Sequence, residues 1–221
     1  TRSALAAYPN LKKQVAESGD PLRLALKFAM AGNIIDSGMR RDLDVETEIA
    51  LLSAPGAHEG RVFMDYAAFC SALKKARTVL IVGDNAGETV FDRLLIEEIL
   101  RLHPDLKFTY AVRAMPALND ALLEDALAAG LGKVAELITS GSDFPGTSLQ
   151  GSTPEFRQVF DRADVVISKG QGNYESLTGS ERDIFFMLML KCPVVAKHAG
   201  LAEGSYVLRR VRGSRPAGRT R

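Results

Sequence analysis

The sequence contains 221 residues, of which 46% are hydrophobic and 25% are charged, so it can form one sizeable globular core or two small ones. Its 28 Lys and Arg residues nearly balance 27 Asp and Glu residues. The resulting net charge of +1 disfavours a strongly basic nucleic-acid-binding protein and an acidic disordered chain. The longest run of large apolar residues, 184–190, is too short to cross a bilayer. With no secretion signal and no disulfide framework, we expect a soluble, cytoplasmic protein.

The first 76 residues show helical patterns and no strand-like alternation. A helix is predicted over 22–31, because Asp20 can cap its first turn and Pro21 fits that turn. Within it only Arg23 and Lys27 are strongly polar, and their spacing of four predicts a single narrow exposed stripe. Two further helices are predicted over residues 45–53 and 66–76.

After residue 76, short apolar segments alternate with helical patterns. The segment 78–82 is apolar and β-branched throughout, as expected of a strand that is covered on both faces. The predicted strands are 78–82, 107–112, 134–139, 164–168 and 193–197, followed by an edge strand over 205–211. The predicted helices are 88–102, 117–129, 153–160 and 182–191. This alternation predicts an α/β fold with a doubly wound, mainly parallel sheet.

The charge is distributed unevenly along the chain. Six arginines and no acidic residue lie in the segment 209–221, so residues 1–208 carry a net charge of −5. We predict a helical subdomain over 1–76, an α/β domain over 77–208 and an Arg-rich tail over 209–221. The tail is interpreted as a frayed terminus, with an RNA-binding or acid-binding arm as the alternative.

Polar residues follow the predicted strands. Because the carboxyl ends of parallel strands share one edge of the sheet, ligands of such folds bind beyond that edge. The residues at or near these strand ends are Asp84, Asn85, Arg113, Asp120, Ser140, Asp143, Lys169, Asn173 and His198.

Asp84, Asn85 and Asp120 could supply oxygen ligands of the kind that Mg²⁺ or Mn²⁺ prefers. The alternative is that Asp84 and Asp120 cap turns and helices, and the residue pattern alone leaves both interpretations open. Lys169 precedes a Gly-x-Gly turn that could face an anion. A lysine in a flexible surface loop would give the same pattern, and Arg113 carries the same ambiguity.

Several other catalytic and nucleotide-binding motifs are missing from the sequence. A dinucleotide fingerprint beginning at Gly83 would need glycine where Asn85 and Glu88 stand. The sequence also has no Walker A loop, no G-x-S-x-G motif and no H-E-x-x-H motif.

Five ordered segments resemble the metal-dependent damage-control phosphatases, also called the domain-of-unknown-function 89 family, in its prokaryotic stand-alone branch. The resemblance spans residues 20–207, and it implies a helical N-terminal part packed on a Rossmann-like α/β domain. The segments are AGNIIDSG (31–38), GDNAGETVFD (83–92), AVRAMPALNDA (111–121), SGSDFPG (140–146) and SKGQGNYESL (168–177).

The resemblance also implies a set of site residues. One divalent metal ion (Mn, Co, Ni or Mg) is expected on Asp84, Asn85 and Asp120, and Lys169 is expected on the phosphate. Asp84 and Lys169 are thus the predicted catalytic residues. The predicted substrate-binding residues are Asn33, Asp36, Arg113, Ser140, Asp143 and Asn173.

The expected function is hydrolysis of small phosphate monoesters, such as sugar phosphates, with a small phosphorylated metabolite as partner and neither nucleic acid nor membrane. Asp84 could instead be a covalent nucleophile, but the D-x-D-x-T motif would require Asp where Ala86 stands. The alternatives are an S-adenosylmethionine-dependent carboxyl methyltransferase and a non-catalytic phosphometabolite-binding module. Many relatives begin with a C-x-x-C segment that has no match here, so we expect a fragment or a shortened member.

Overall fold

The computed structural model describes residues 2–36, 60–142 and 146–214, and it describes only the backbone of residues 33–36. The predicted helix over 45–53 lies outside these ranges. Within them, seven strands form one mixed sheet in the order β1-β7-β6-β5-β2-β3-β4. Every neighbouring pair is parallel except β6 and β7, which are antiparallel. The strands are β1 (Val62–Met64), β2 (Thr78–Val82), β3 (Lys107–Val112), β4 (Glu136–Thr139), β5 (Val165–Lys169), β6 (Ile184–Met189) and β7 (Tyr206–Val211).

Helices cover both faces of the sheet, which confirms the predicted α/β class. One face packs against helices α1 to α5, and the other packs against α6, α7 and α8. None of the described helices is long and apolar enough to cross a membrane. The helices are α1 (Arg2–Glu17), α2 (Pro21–Asp36), α3 (Tyr66–Leu73), α4 (Glu88–Leu102), α5 (Leu123–Ala128), α6 (Pro154–Arg162), α7 (Gln171–Leu177) and α8 (Pro193–Ala199), with a short 3₁₀ helix at Leu131–Lys133.

The predictions for residues 182–197 were wrong. The segment predicted as a helix over 182–191 contains strand β6, and the segment predicted as a strand over 193–197 lies in helix α8. Strand β6 lies between β5 and β7, and its side chains are buried on both faces. An apolar run without periodicity therefore reflects a central strand here. Pro193 occupies the first position of α8, where its missing N–H has no cost.

The predicted edge strand over 205–211 forms as β7 but is an inner strand. The edge position belongs to β1, which lies in the segment where no strand was predicted and which pairs with β7. The division of the chain at residue 76 stays a prediction. However, helices α1 and α2 share one continuous hydrophobic core with the sheet, and β1 belongs to that sheet.

The predicted Arg-rich tail begins inside strand β7. The Arg209 guanidinium donates a hydrogen bond to the Ala199 carbonyl, and Arg210 forms an ion pair of 2.6 Å with Asp183. These two arginines therefore belong to the sheet. Residues 215–221 lie outside the described part of the chain.

Helices α2 and α4 approach closely at Gly32. A Cβ atom built on Gly32 would lie 3.0 Å from the Phe91 Cδ2 atom and 3.4 Å from the Glu88 Cα atom. We expect Gly32→Leu to lower the free energy of unfolding by about 1–3 kcal/mol in urea denaturation, because a larger side chain overpacks this crossing. Gly19→Leu is the control, since a Cβ at Gly19 would meet nothing within 4 Å. Equal stability of the two variants would contradict a tight crossing.

Candidate active site at the switch point of the sheet

The carboxyl ends of β2 and β5 meet where the strand order reverses. Strand β2 is flanked by β3 on one side and by β5 on the other, and β6 lies beyond β5. The crevice at such a switch point is where open α/β sheets bind ligands. Here it is bordered by the Gly83-Asp84-Asn85 segment after β2 and by Lys169 and Gly170 at the end of β5.

Asp120 is held beside the β2–α4 loop by main-chain pairing. The Ala121 N–H donates to the Asp84 carbonyl at 2.7 Å, and the Ala86 N–H donates to the Asn119 carbonyl at 2.9 Å. These bonds flank an isolated antiparallel bridge between Asn85 and Asp120. The bridge also explains why the helix predicted over 117–129 begins only at Leu123. The preceding residues are needed to bring Asp120 to Asp84 and Asn85.

The Asn85 side chain is buried and held by two carboxylates. Its Nδ2 atom donates to Asp84 Oδ2 at 3.1 Å and to Glu88 Oε1 at 2.6 Å. Both hydrogen bonds use the amide nitrogen, so the amide oxygen is the atom that can act as a ligand.

Arg113 is buried between the loops that follow β3 and β4. Its Nε atom donates to Asp120 Oδ2 at 2.6 Å, and its Nη1 atom donates to the Gly146 carbonyl. Its Nη2 atom is buried and has no hydrogen-bond partner among the residues that the structure describes. A buried guanidinium with an unused donor is suited to an anionic ligand.

Lys169 is not a lysine of a flexible surface loop, because its side chain is only 1% exposed. Its Nζ atom donates to Glu88 Oε2 at 2.8 Å, to Asp92 Oδ1 at 2.7 Å and to the Ala29 carbonyl at 2.9 Å. The Tyr110 hydroxyl donates to the other oxygen of Asp92 at 2.8 Å. The two neighbouring carboxylates raise the pKa of Lys169 although burial alone would lower it.

Glu88 and Asp92 are residues of this site that the sequence analysis did not identify. They lie four residues apart on α4, so both can face the same side of that helix, and both are fully buried. The sequence signal that could have revealed them is the presence of two carboxylates in the mostly apolar first half of α4, residues 88–96.

Gly170 and Asn173 connect β5 to the end of β2. Gly170 has φ of +77° and ψ of 163°, and a Cβ atom built on it would overlap the Asp84 carboxylate. The Asn173 Nδ2 atom donates to the Gly83 carbonyl at 3.0 Å and to the Lys169 carbonyl at 2.9 Å. Its Oδ1 atom is buried without a hydrogen-bond partner in the described part of the chain.

The structure gives fewer contacts for the other residues that the sequence analysis singled out. Ser140 is buried after β4, and its hydroxyl accepts a hydrogen bond of 3.4 Å from the Ser142 N–H. Asp143 and the side chains of Asn33 and Asp36 lie outside the described residues. His198 was expected to follow a strand over 193–197, but it lies on α8, where its Nδ1 atom is 3.0 Å from the Tyr174 hydroxyl.

Negative charge exceeds positive charge in this cluster. Four carboxylates (Asp84, Glu88, Asp92 and Asp120) are accompanied by the two cations Lys169 and Arg113, which leaves a charge of −2 if all are ionised. Burial, together with the charges of Glu88 and Asp120, raises the pKa of Asp84 to about 8. A bound divalent cation would offset this excess of carboxylates and would favour the ionised form of Asp84.

The donor atoms fit a hard divalent cation. Within residues 2–36, 60–142 and 146–214, no group of three or more His, Cys, Asp or Glu side chains is arranged to hold a metal ion. The predicted set differs in composition, since it combines the carboxylates of Asp84 and Asp120 with the amide of Asn85. All three supply oxygen, which suits Mg²⁺ or Mn²⁺ better than a soft metal.

Comparisons with known proteins agree with the resemblance seen in the sequence. A damage-control phosphatase from Pyrococcus horikoshii is 35% identical over 191 residues, which cover 85% of this chain and 64% of the relative. A damage-control phosphatase from Archaeoglobus fulgidus is 35% identical over 208 residues, covering 92% of this chain and 70% of the relative. An uncharacterized protein from Methanocaldococcus jannaschii is 43% identical over 139 residues, which cover 61% of this chain and 45% of the relative. The chain thus spans between 45% and 70% of these relatives.

A solved structure shows the same fold. The crystal structure of a DUF89 family protein from Pyrococcus horikoshii matches with a TM-score of 0.77 at 33% identity, covering 93% of this chain and 73% of that one. The model of the damage-control phosphatase ARMT1-like domain matches residues 1–207. This match includes every described motif of the switch point, from the Asp84 segment to the Lys169 segment. The chain belongs to the damage-control phosphatase ARMT1-like (DUF89) family.

Proposed function

We propose that this chain is a metal-dependent phosphatase that hydrolyses small phosphate monoesters, such as sugar phosphates and related phosphometabolites. The observation that carries the proposal is the pairing of two complementary groups at the switch point. Asp84, Asn85 and Asp120 offer oxygen ligands to a cation, and Arg113 offers an anion a buried N–H donor that has no partner among the described residues. The names of the family and of its relatives support the phosphatase class.

In this proposal one divalent cation (Mn, Co, Ni or Mg) binds to Asp84, Asn85 and Asp120. When bound, such a cation supplies Lewis-acid activation of the phosphoryl group and of the attacking water. Arg113 donates from Nη2 to a phosphoryl oxygen. Its hydrogen bonds to Asp120 and Gly146 hold the guanidinium in place, so little reorganisation is needed as charge develops.

The remaining predicted residues surround these two groups. The Oδ1 atom of Asn173, which has no partner in residues 2–36, 60–142 and 146–214, can accept a hydrogen bond from a substrate hydroxyl or from water. Ser140 lies after the neighbouring strand, and contacts of Asn33, Asp36 and Asp143 with substrate stay predictions. We assign Asp84 a ligand role rather than that of a covalent nucleophile.

The methyltransferase alternative is not favoured, because the named relatives are phosphatases. A non-catalytic module that binds phosphorylated metabolites is the second candidate, and it differs from the first in releasing no phosphate. The cytoplasmic location and the absence of nucleic-acid and membrane partners stay predictions.

Phosphate release from p-nitrophenyl phosphate and from a panel of sugar phosphates tests the proposal. We expect turnover with added Mn²⁺, Co²⁺, Ni²⁺ or Mg²⁺. We expect EDTA to abolish this turnover, because it removes the cation that supplies the Lewis-acid activation and leaves the site with excess negative charge. A thermal melt should also shift upward with the same cation in the absence of substrate. Turnover that is indifferent to EDTA would overturn the metal dependence, and stabilisation without any turnover would favour the binding module.

A further inference from the structure

We propose that Lys169 is a positioning residue for the cation site, acting through Glu88, and does not contact the phosphate. This inference rests on the proposed function. It concerns how Lys169 and its partners Glu88 and Asp92 hold Asp84 and Asn85 in place.

The ammonium group of Lys169 has no donor left for a phosphoryl oxygen. An ammonium carries three N–H donors, and three acceptors lie within 2.7–2.9 Å of its nitrogen: Glu88, Asp92 and the Ala29 carbonyl. The side chain is 1% exposed, and the two carboxylates that receive it are 0% and 1% exposed. A phosphate contact would require breaking one of these buried hydrogen bonds.

Glu88 links Lys169 to the predicted cation ligands. Its Oε2 atom accepts from Lys169 at 2.8 Å, and its Oε1 atom accepts from the Asn85 amide at 2.6 Å. Since the nitrogen of that amide is held by Glu88 and Asp84, the oxygen is the side of Asn85 available to a cation. Without a charged Glu88, the Asn85 amide can rotate and present its nitrogen, which would repel a cation.

The other two contacts of Lys169 fix the surrounding elements. Asp92 accepts from both Lys169 and Tyr110, and the Tyr110 hydroxyl lies so close to Gly83 that a Cβ there would be 2.7 Å from it. The Ala29 carbonyl belongs to α2, one helical turn before Asn33. Lys169 thus ties α2, α4 and β5 together directly beneath the Asp84–Asn85 pair.

Cation affinity measured without substrate tests the inference. For Glu88→Gln and for Lys169→Met we expect the Kd of Mn²⁺, measured by calorimetry or electron paramagnetic resonance, to rise at least about tenfold. At saturating Mn²⁺ we expect the KM for p-nitrophenyl phosphate to change by less than about threefold. Glu98→Gln is the matched control, because Glu98 is a buried acid on the same helix that pairs with Arg101, and its Kd should not change.

The outcomes separate this inference from the proposed function. An unchanged Kd of Mn²⁺ in Lys169→Met, combined with a raised KM or a raised inhibition constant for inorganic phosphate, would show a phosphate ligand and overturn the inference alone. Wild-type protein that binds no Mn²⁺ would overturn both. If Lys169→Met does not fold, the double variant with Asp92→Asn removes one uncompensated carboxylate, and Glu88→Gln still decides the question.

Discussion

Asp84→Asn is expected to lower phosphate release by at least about 10³-fold while the protein remains folded. The substitution keeps the shape of the side chain but removes one of the two carboxylate charges that we assign to the cation. It also weakens the ligand set at the Asp84 Oδ2 atom, which accepts a hydrogen bond from the Asn85 amide and lies close to Gly170. The measurement is kcat/KM at saturating Mn²⁺, together with the Kd of Mn²⁺. Asp105→Asn is the control, because Asp105 is exposed in the α4–β3 connection.

The same variant should alter how stability depends on pH in EDTA. The pKa of Asp84 is raised in the folded protein to about 8, so between about pH 4 and about pH 8 the folded state binds more protons than the unfolded state. The free energy of unfolding of the wild type should therefore fall by roughly 2 kcal/mol between pH 6 and pH 8, and that of Asp84→Asn should fall less. For the activity prediction, phosphate release by Asp84→Asn within tenfold of the wild type would show that Asp84 is not part of the proposed site.

Gly170→Ala is expected to lower phosphate release by about 100-fold or more and to destabilise the protein by about 1–3 kcal/mol. The backbone at Gly170, with φ of +77° and ψ of 163°, lies in a region that is essentially limited to glycine. In addition, the new Cβ would overlap the Asp84 carboxylate and displace it from Asn85. The readouts are urea denaturation, kcat/KM and the Kd of Mn²⁺.

Gly60→Ala separates the two effects of that substitution. Gly60 has nearly the same φ, +76°, but a Cβ there would meet nothing within 4 Å. It should lose some stability from the positive φ and keep its turnover and its Mn²⁺ affinity. If Gly170→Ala behaves like this control, the close approach of Gly170 to Asp84 does not matter for the site.

The elements that could be predicted from the sequence are those with strong local signals. The bounds of β2, α4 and β3 agree with the predictions residue for residue, because apolar β-branched runs and helical spacing mark them locally. The segment around β6 and α8 was assigned wrongly, because a central strand has no alternation that distinguishes it from a buried helix. The edge strand β1 has three residues and was too short to detect.

The candidate site was predictable only in part, for a similar reason. The strand-end rule identified Asp84, Asn85, Arg113 and Asp120, since the carboxyl ends of parallel strands converge in any such sheet. The environment of Lys169 depends instead on packing between distant segments, and its three partners lie 77, 81 and 140 residues away along the chain. No local pattern in the sequence specifies those contacts.

The pairing of β1 with β7 has a consequence for the order in which the protein can fold. Val62 lies opposite Tyr206, and β7 is the only sheet partner of β1 among the described strands. During synthesis, β1 must therefore wait until about 140 further residues have left the ribosome before it can join the sheet. Such long-range pairing slows folding and leaves a strand unpaired in the meantime, so the nascent chain is exposed to aggregation until β7 emerges.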